Sequence, residues 1–189
     1  PKGQASQDYL PGPRDSFGGH LNSSTNEIYL FGGYGYDEEG SNGALNDLWK
    51  YHLSKREWTW LKGHSLTNEI STHGSFNVFH ETQTPGGRYA VSSWSSSNGQ
   101  NFYLFGGYGL DGNGAGGMLN DLWVFDTQLF QWKWMKGSKL TNQAGVYGSL
   151  GVPDVANNPG GRSYSSSAIA IDSQSQLWLF VGQGYSATK

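Results

Sequence analysis

The chain has 189 residues, of which 14% are charged, 15% are aromatic and 29 are glycine, with a formal net charge of −3. Average domains carry about 25% charged residues and about 7% glycine, and disorder goes with few aromatics and high net charge, so this composition describes a folding chain with frequent turns and an aromatic core. No Lys/Arg cluster is present to follow a phosphate backbone, which argues against nucleic acid. No apolar run approaches the 18 residues of a membrane span, and the absence of cysteine removes disulfides, thiol nucleophiles and thiolate metal sites.

Residues 1–10 read as an N-terminal lead-in. Pro11-Gly12-Pro13-Arg14 then opens a unit whose start returns as Pro85-Gly86-Gly87-Arg88 and as Pro159-Gly160-Gly161-Arg162. The period is 74 residues, and a period of this kind governs every later assignment. It divides the chain into repeats over 11–84 and 85–158 and the first half of a third over 159–189. Residues 27–63 and 101–137 align without a gap and share 19 of 37 positions. The third copy is weaker, with Val181 where the first glycine of the pair is expected.

Four short strands are expected in each unit, read here in the second. The first spans 89–94 and is followed by a turn over 95–99, where Asn98-Gly99 is a strong hairpin signal. The second spans 102–105 and ends at Gly106-Gly107, as Gly32-Gly33 does in the first unit, because the backbone there needs positive φ or a close approach. A glycine-rich loop follows to Leu119. The third strand spans 121–125 and the fourth 131–135, in which Trp132 and Trp134 project from one face. A long linker, 136–161, leads to the next unit. Strands apolar on both faces need partners above and below, and four-stranded sheets stacked radially on their own copies supply them, the β-propeller arrangement.

The order of these residues is a hydrophobic strand, Gly-Gly, then Leu45-Asn46-Asp47-Leu48-Trp49 or Leu119-Asn120-Asp121-Leu122-Trp123. A tryptophan strand follows, holding Trp58 or Trp132. It resembles the kelch repeat, in a long-looped form found in secreted and cell-surface proteins. The resemblance implies an all-β fold of kelch-type β-propeller blades with four antiparallel strands, about two and a half of them, forming part of a larger propeller. It names no partner. The expected source of the remaining blades is a longer polypeptide or a neighbouring chain, and the start at Pro1 rather than Met favours a piece of a longer polypeptide.

Antiparallel connectivity puts the loop after the second strand and the linker after the fourth at one end of every blade, and insertions repeated on one face often mark the binding face. The expected exposed ligand or partner contacts there are Tyr34, Tyr36, Asp37, Glu38, Tyr108, Asp111, Asn113, His73 and Tyr147. Tyr34 and Tyr108 recur, so packing of each loop on its own blade is the competing role. Asp47 and Asp121, beside Arg14, Arg88 and Arg162, form either an anion or catalytic site or a staple within or between blades. Repetition in every unit favours the staple. Gly32, Gly33, Gly106, Gly107, Trp49, Trp123, Trp58 and Trp132 are read as structural.

No metal or cofactor is expected. The segment 111–116 echoes a calcium loop, but Ala115 holds a ligand position and no glutamate follows at the required distance. The five histidines include no His-x-His or His-x-x-x-His pair. No nucleophile elbow, phosphate loop or triad spacing is present. Galactose oxidase, a kelch-propeller enzyme, needs a cysteine cross-linked to tyrosine, which this chain lacks. Asn22-Ser23-Ser24 is a glycosylation sequon in the turn after the first strand, an expected exposed place. The expected function is a non-enzymatic protein-interaction or scaffold module, extracellular or at the cell surface, which the polar, lysine-poor composition favours. The alternatives are a carbohydrate-binding propeller, or the non-catalytic part of a propeller enzyme whose site lies in other blades.

Overall fold

The computed structural model describes residues 2–164, 169–180 and 182–187, and no helix occurs among them. Two full blades lie side by side, as the period demands. In the second, Ser92–Ser95, Asn101–Phe105, Leu122–Asp126 and Gln131–Lys136 form an antiparallel sheet in chain order. In the first, Gly18–Asn22, Glu27–Tyr36, Asn42–His52 and Glu57–Lys62 pair in the same order. The third unit shows Ile169–Ile171 paired with Leu177–Leu179 and Arg162–Ser163 paired with Gln183–Gly184. Val181 lies outside the described residues.

Two details depart from the sequence reading. The first strand is broken in each unit. Arg14–Asp15 and Arg88–Tyr89 pair separately from the strands that follow them. The break falls at Ser16, Ala90 and Tyr164, which all have φ between 53° and 58°. None is glycine, so nothing in composition marks the kink. Its cause is tertiary: the Ala90 N–H donates to the Ser16 carbonyl at 2.8 Å, and the Tyr164 N–H to the Ala90 carbonyl at 3.0 Å. Left-handed backbone at these positions turns peptide groups sideways to link blade to blade.

The second departure is the glycine-rich loop, which is a hairpin. Tyr108–Leu110 pairs with Gly116–Met118, and in the first blade the second and third strands run on through Tyr36 and Asn42. The glycine pair stands as expected and for both reasons given. Gly32 and Gly106 have φ of 63° and 62°. A Cβ on them would come 2.7 Å from the Arg88 carbonyl oxygen and 2.6 Å from that of Arg162, each in the next blade.

The core is the seam between the two blades. Tyr29, Phe31 and Leu48 of the first pack against Val91, Phe102, Leu104, Trp123, Phe125 and Trp132 of the second. Trp132 and Trp58 hold the same register, opposite Phe125 and Tyr51. Their burial differs. Trp132 is fully covered, with Phe31 edge-on at 5.2 Å; Trp58 is half-buried, against Trp49 and Tyr51 of its own blade.

His20 bridges the same seam. Its ring is buried and stacked on Phe102 at 5.5 Å. Nε2 lies 3.0 Å from the Gly99 carbonyl oxygen, which can only accept, so Nε2 carries the proton and Nδ1 accepts from the Ser95 hydroxyl at 2.6 Å. Burial lowers the His20 pKa below its usual value, against the partial opposing pull of the Gly99 bond. The unfolded chain therefore takes up a proton below pH about 6.5 that the fold resists. Stability from this group is full above that pH and declines as pH falls toward the folded pKa, by at most about 1.4 kcal/mol per pH unit. Urea midpoints at pH 7.5 and 5.5 should show this loss, and His20→Gln, which keeps an N–H donor without the titration, should flatten it. An unchanged slope in His20→Gln would remove His20 from the effect.

Linkers protect blade edges. The first crosses to the second blade and lies along its outer strand, where the Asn77 N–H donates to the Trp134 carbonyl at 2.9 Å and the His80 N–H to the Trp132 carbonyl at 3.2 Å. The segment 1–10, expected to be a bare lead-in, does the same for the first blade. Ala5–Ser6 pairs with Thr59 and Trp58, and the Gly3 N–H donates to the Trp60 carbonyl at 2.8 Å. These are the same contacts shifted by 74 residues. An outer strand covered in this way has no free edge to recruit another chain.

Asn22 is not exposed. It is 4% accessible, and its side-chain carbonyl accepts from the N–H and hydroxyl of Ser24 and the N–H of Thr25. A Cβ on Gly99 of the next blade would fall 2.3 Å from it. The turn bearing the sequon is pressed against its neighbour, which corrects the expectation of an accessible glycosylation site.

Candidate functional site

The hairpins and the linkers meet at one end of the blades, as connectivity predicts. Asp37 and Asp111 build the hairpin tips. One carboxylate oxygen of Asp111 accepts from the N–H groups of Asn113 and Ala115 at 2.8 and 3.0 Å, and the other from the N–H and hydroxyl of Thr141 in the linker. Asp37 repeats this with Glu39, Ser41 and Thr67. Burial alone would raise the Asp111 pKa, but these donors, Thr141 first among them, hold it below its ordinary value. A cation would have to displace four donors to reach that carboxylate. Asn68 and Asn142, both with φ near 60°, complete the clamp: their side-chain carbonyls accept from the Ala44 and Met118 N–H groups.

Several expected contacts are therefore structural. Asp111 is 2% accessible and supports the turn, which corrects its placement among exposed contacts. His73 is corrected likewise. Its side chain is 3% accessible and lies between the rings of Trp123 and Trp134, each centroid 4.9 Å away. Asp37 is partly buried by the same turn. Tyr34, Tyr36, Glu38, Tyr108, Asn113 and Tyr147 are exposed.

Of these, the structure gathers Tyr34 and Tyr108 about a residue that the sequence reading passed over, Tyr89. Tyr34 of the first blade meets Tyr89 of the second edge-on at 5.2 Å, and Tyr108 lies 5.6 Å from Tyr89. Burial raises the Tyr89 pKa, and the phenols of Tyr164, Tyr108 and Tyr34 add to it, so its hydroxyl stays protonated at neutral pH. Tyr34 and Tyr108 recur. Tyr89 does not: Asp15 and Ser163 stand at its equivalents. The hairpin tips differ too, with Glu38-Glu39 in one and Gly112-Asn113 in the other. The only available signal for Tyr89 was its departure from the period. Tyr147 belongs to the second linker and Tyr36 to the first hairpin, and no ring contact of either with the cluster is present.

The Arg–Asp sets lie inside blades. Arg88 binds Asp121 through two N–H···O bonds of 2.6 and 2.9 Å, with both side chains fully buried. The same guanidinium donates to the Gly86 and Gly106 carbonyls, and the Trp123 indole N–H donates to Asp121 at 2.7 Å. Burial by itself would raise the Asp121 carboxyl; the Arg88 charge, with His73 and Trp123, outweighs it and holds the group far below the usual carboxylate range. Arg14, Asp47 and Trp49 repeat the arrangement. Every oxygen is engaged, so the set staples the first strand to the third. Among the described residues no three His, Asp or Glu side chains are placed to share a metal ion, and no helix is long and apolar enough to cross a membrane.

Comparison with known proteins agrees with this geometry. Residues 3–154 match the family model of the KLHDC2/KLHL20/DRC7 Kelch-repeats domain. Among solved structures, that of YjhT, a kelch-type propeller, superposes with a TM-score of 0.51 and 16% sequence identity over 92% of this chain and 54% of that one. The chain thus spans about half the length of that structure. The comparison with curated proteins finds no match. With the 74-residue period, the stapled four-stranded blades and a family match over most of its length, the chain belongs to the kelch-repeat family.

Proposed function

We propose that the chain is a non-enzymatic recognition module that binds a protein partner, outside the cell or at its surface, through the end carrying the hairpins and linkers. The observation that supports this is the tyrosine cluster. Residues that repeat are engaged in building blades, whereas Tyr89, the tips Glu38-Glu39 and Gly112-Asn113, and the neighbouring phenols present a surface that differs between units. Tyrosine gives large contact area at low entropic cost together with a polar tip, and it is enriched where interfaces concentrate their energy.

The test compares the immobilised chain with a Tyr34→Ala/Tyr108→Ala variant, and with Leu129→Ala, which changes an exposed residue in a turn at the opposite end. Extracellular and surface proteins and a glycan array are both presented. A protein retained by the parent and Leu129→Ala, and weakened at least about tenfold by the double variant, is expected, since each anchor removed costs about 1 kcal/mol or more. Equal retention by the double variant would overturn the assignment of the face. Retention of sugars alone, lost in that variant, would move the reading to the carbohydrate-binding alternative.

A further inference from the structure

The first blade carries a cavity of about 280 Å³ lined by Leu10, Arg14, Asp47, Trp49, Trp60 and Ser65. Its walls are the staple residues of that blade, and Asp47 and Arg14 are almost fully buried in them. On the second blade the equivalent walls are Arg88, Asp121, Trp123 and Trp134, and there the chain fills the space itself. The first linker passes over it and inserts His73, whose Nε2 points at Asp121 Oδ2 from 3.8 Å and has no nearer partner.

The register of that linker continues on the first blade. Asn77 has φ of 58°, and Gly3, 74 residues earlier, has 77°, with matching hydrogen bonds to the outer strand. Phe76 packs edge-on against Trp134 at 5.2 Å; at its equivalent, the Lys2 ammonium sits 4.7 Å from the Trp60 ring. The downstream half of a linker is therefore seated on the first blade, contact for contact, and the cavity occupies the place of the upstream half.

We propose that this cavity is a docking site for an extended, imidazole-bearing segment of a blade-to-blade linker, entering in the register of residues 69–74 and directing its histidine between Trp49 and Trp60 toward Asp47. The two indole faces match an imidazole plane, and the buried carboxylate, already bound to Arg14 and to the Trp49 N–H, leaves a polar target at the floor. A phenol or phenyl group would fill the same slot without a donor directed at Asp47.

The probe is the chain with the six residues of 69–74, Glu-Ile-Ser-Thr-His-Gly, added directly ahead of Pro1, compared with the same extension carrying alanine for its histidine. The tether supplies the local concentration that a free hexapeptide lacks. Relative to the parent chain, the histidine extension should raise the unfolding temperature by about 3 °C and shift the indole N–H signals of Trp49 and Trp60. The alanine extension should do neither. Equal shifts from both extensions, or none from either, would overturn the proposal. Both probes leave every residue of the blades unchanged, so a failure to fold cannot imitate either result. The outcome is independent of the tyrosine face, which these extensions do not touch.

Discussion

Replacing Arg88 by methionine is expected to destabilise the chain by about 3–5 kcal/mol, because it leaves an ionised carboxylate buried without its counter-charge. Asp121 is wholly inaccessible, and the remaining indole and imidazole neighbours supply dipoles rather than a fixed charge. The double variant Arg88→Met/Asp121→Leu should recover most of this loss, since well-packed apolar groups of similar volume replace buried ion pairs at little cost. The pH dependence fixes the mechanism. In the parent, the folded carboxyl is depressed, so its contribution is full above the unfolded value near 3.9 and fades below it. In Arg88→Met, burial acts alone and raises the carboxyl above that value, so the variant gains relative stability as pH falls from 7 and the gap to the parent narrows. Denaturation midpoints across pH 4–7 measure both. A double variant as unstable as the single one would show that the guanidinium's bonds to Gly86 and Gly106, and not its charge, hold the blade.

Trp132→Ala should cost about 3–5 kcal/mol, the range for deleting a large buried aromatic side chain. The ring is fully covered and contacts Phe31, Phe102, Trp123 and Phe125 across two blades, so no single neighbour can collapse into the space. Trp58→Ala, at the same register one unit earlier, should cost less than about 2 kcal/mol, because half-buried sites lose less on truncation. Urea unfolding of the two variants provides the comparison. Equal losses would mean that the seam between blades contributes little and each sheet stands by itself.

The same pair of tryptophans marks the boundary of what the linear sequence carries. The 74-residue period, the four-stranded unit, the positive-φ glycine pairs and the Arg–Asp staple were legible because each is a local or recurring choice: a turn, an alternation, a residue type at a fixed offset. Tyr34 and Tyr108 were legible as part of the candidate face for the same reason. Tyr89 was not, since its role comes from a neighbour in another blade.

Order in the chain determined the repeating blade, its strand succession and the end at which loops and linkers gather, because these follow from hydrophobic alternation and from the reversal of direction at each short turn. Only the tertiary structure decided which copy of a repeated residue is buried. Trp58 and Trp132 differ in coverage, Asn22 is sealed by the next blade, His73 crosses into a neighbour's staple, and Ser16, Ala90 and Tyr164 take left-handed backbone to bond from blade to blade. The physical reason is common to all four: burial and unusual backbone are imposed by contact with an adjacent sheet, and that contact is made by residues about one period away.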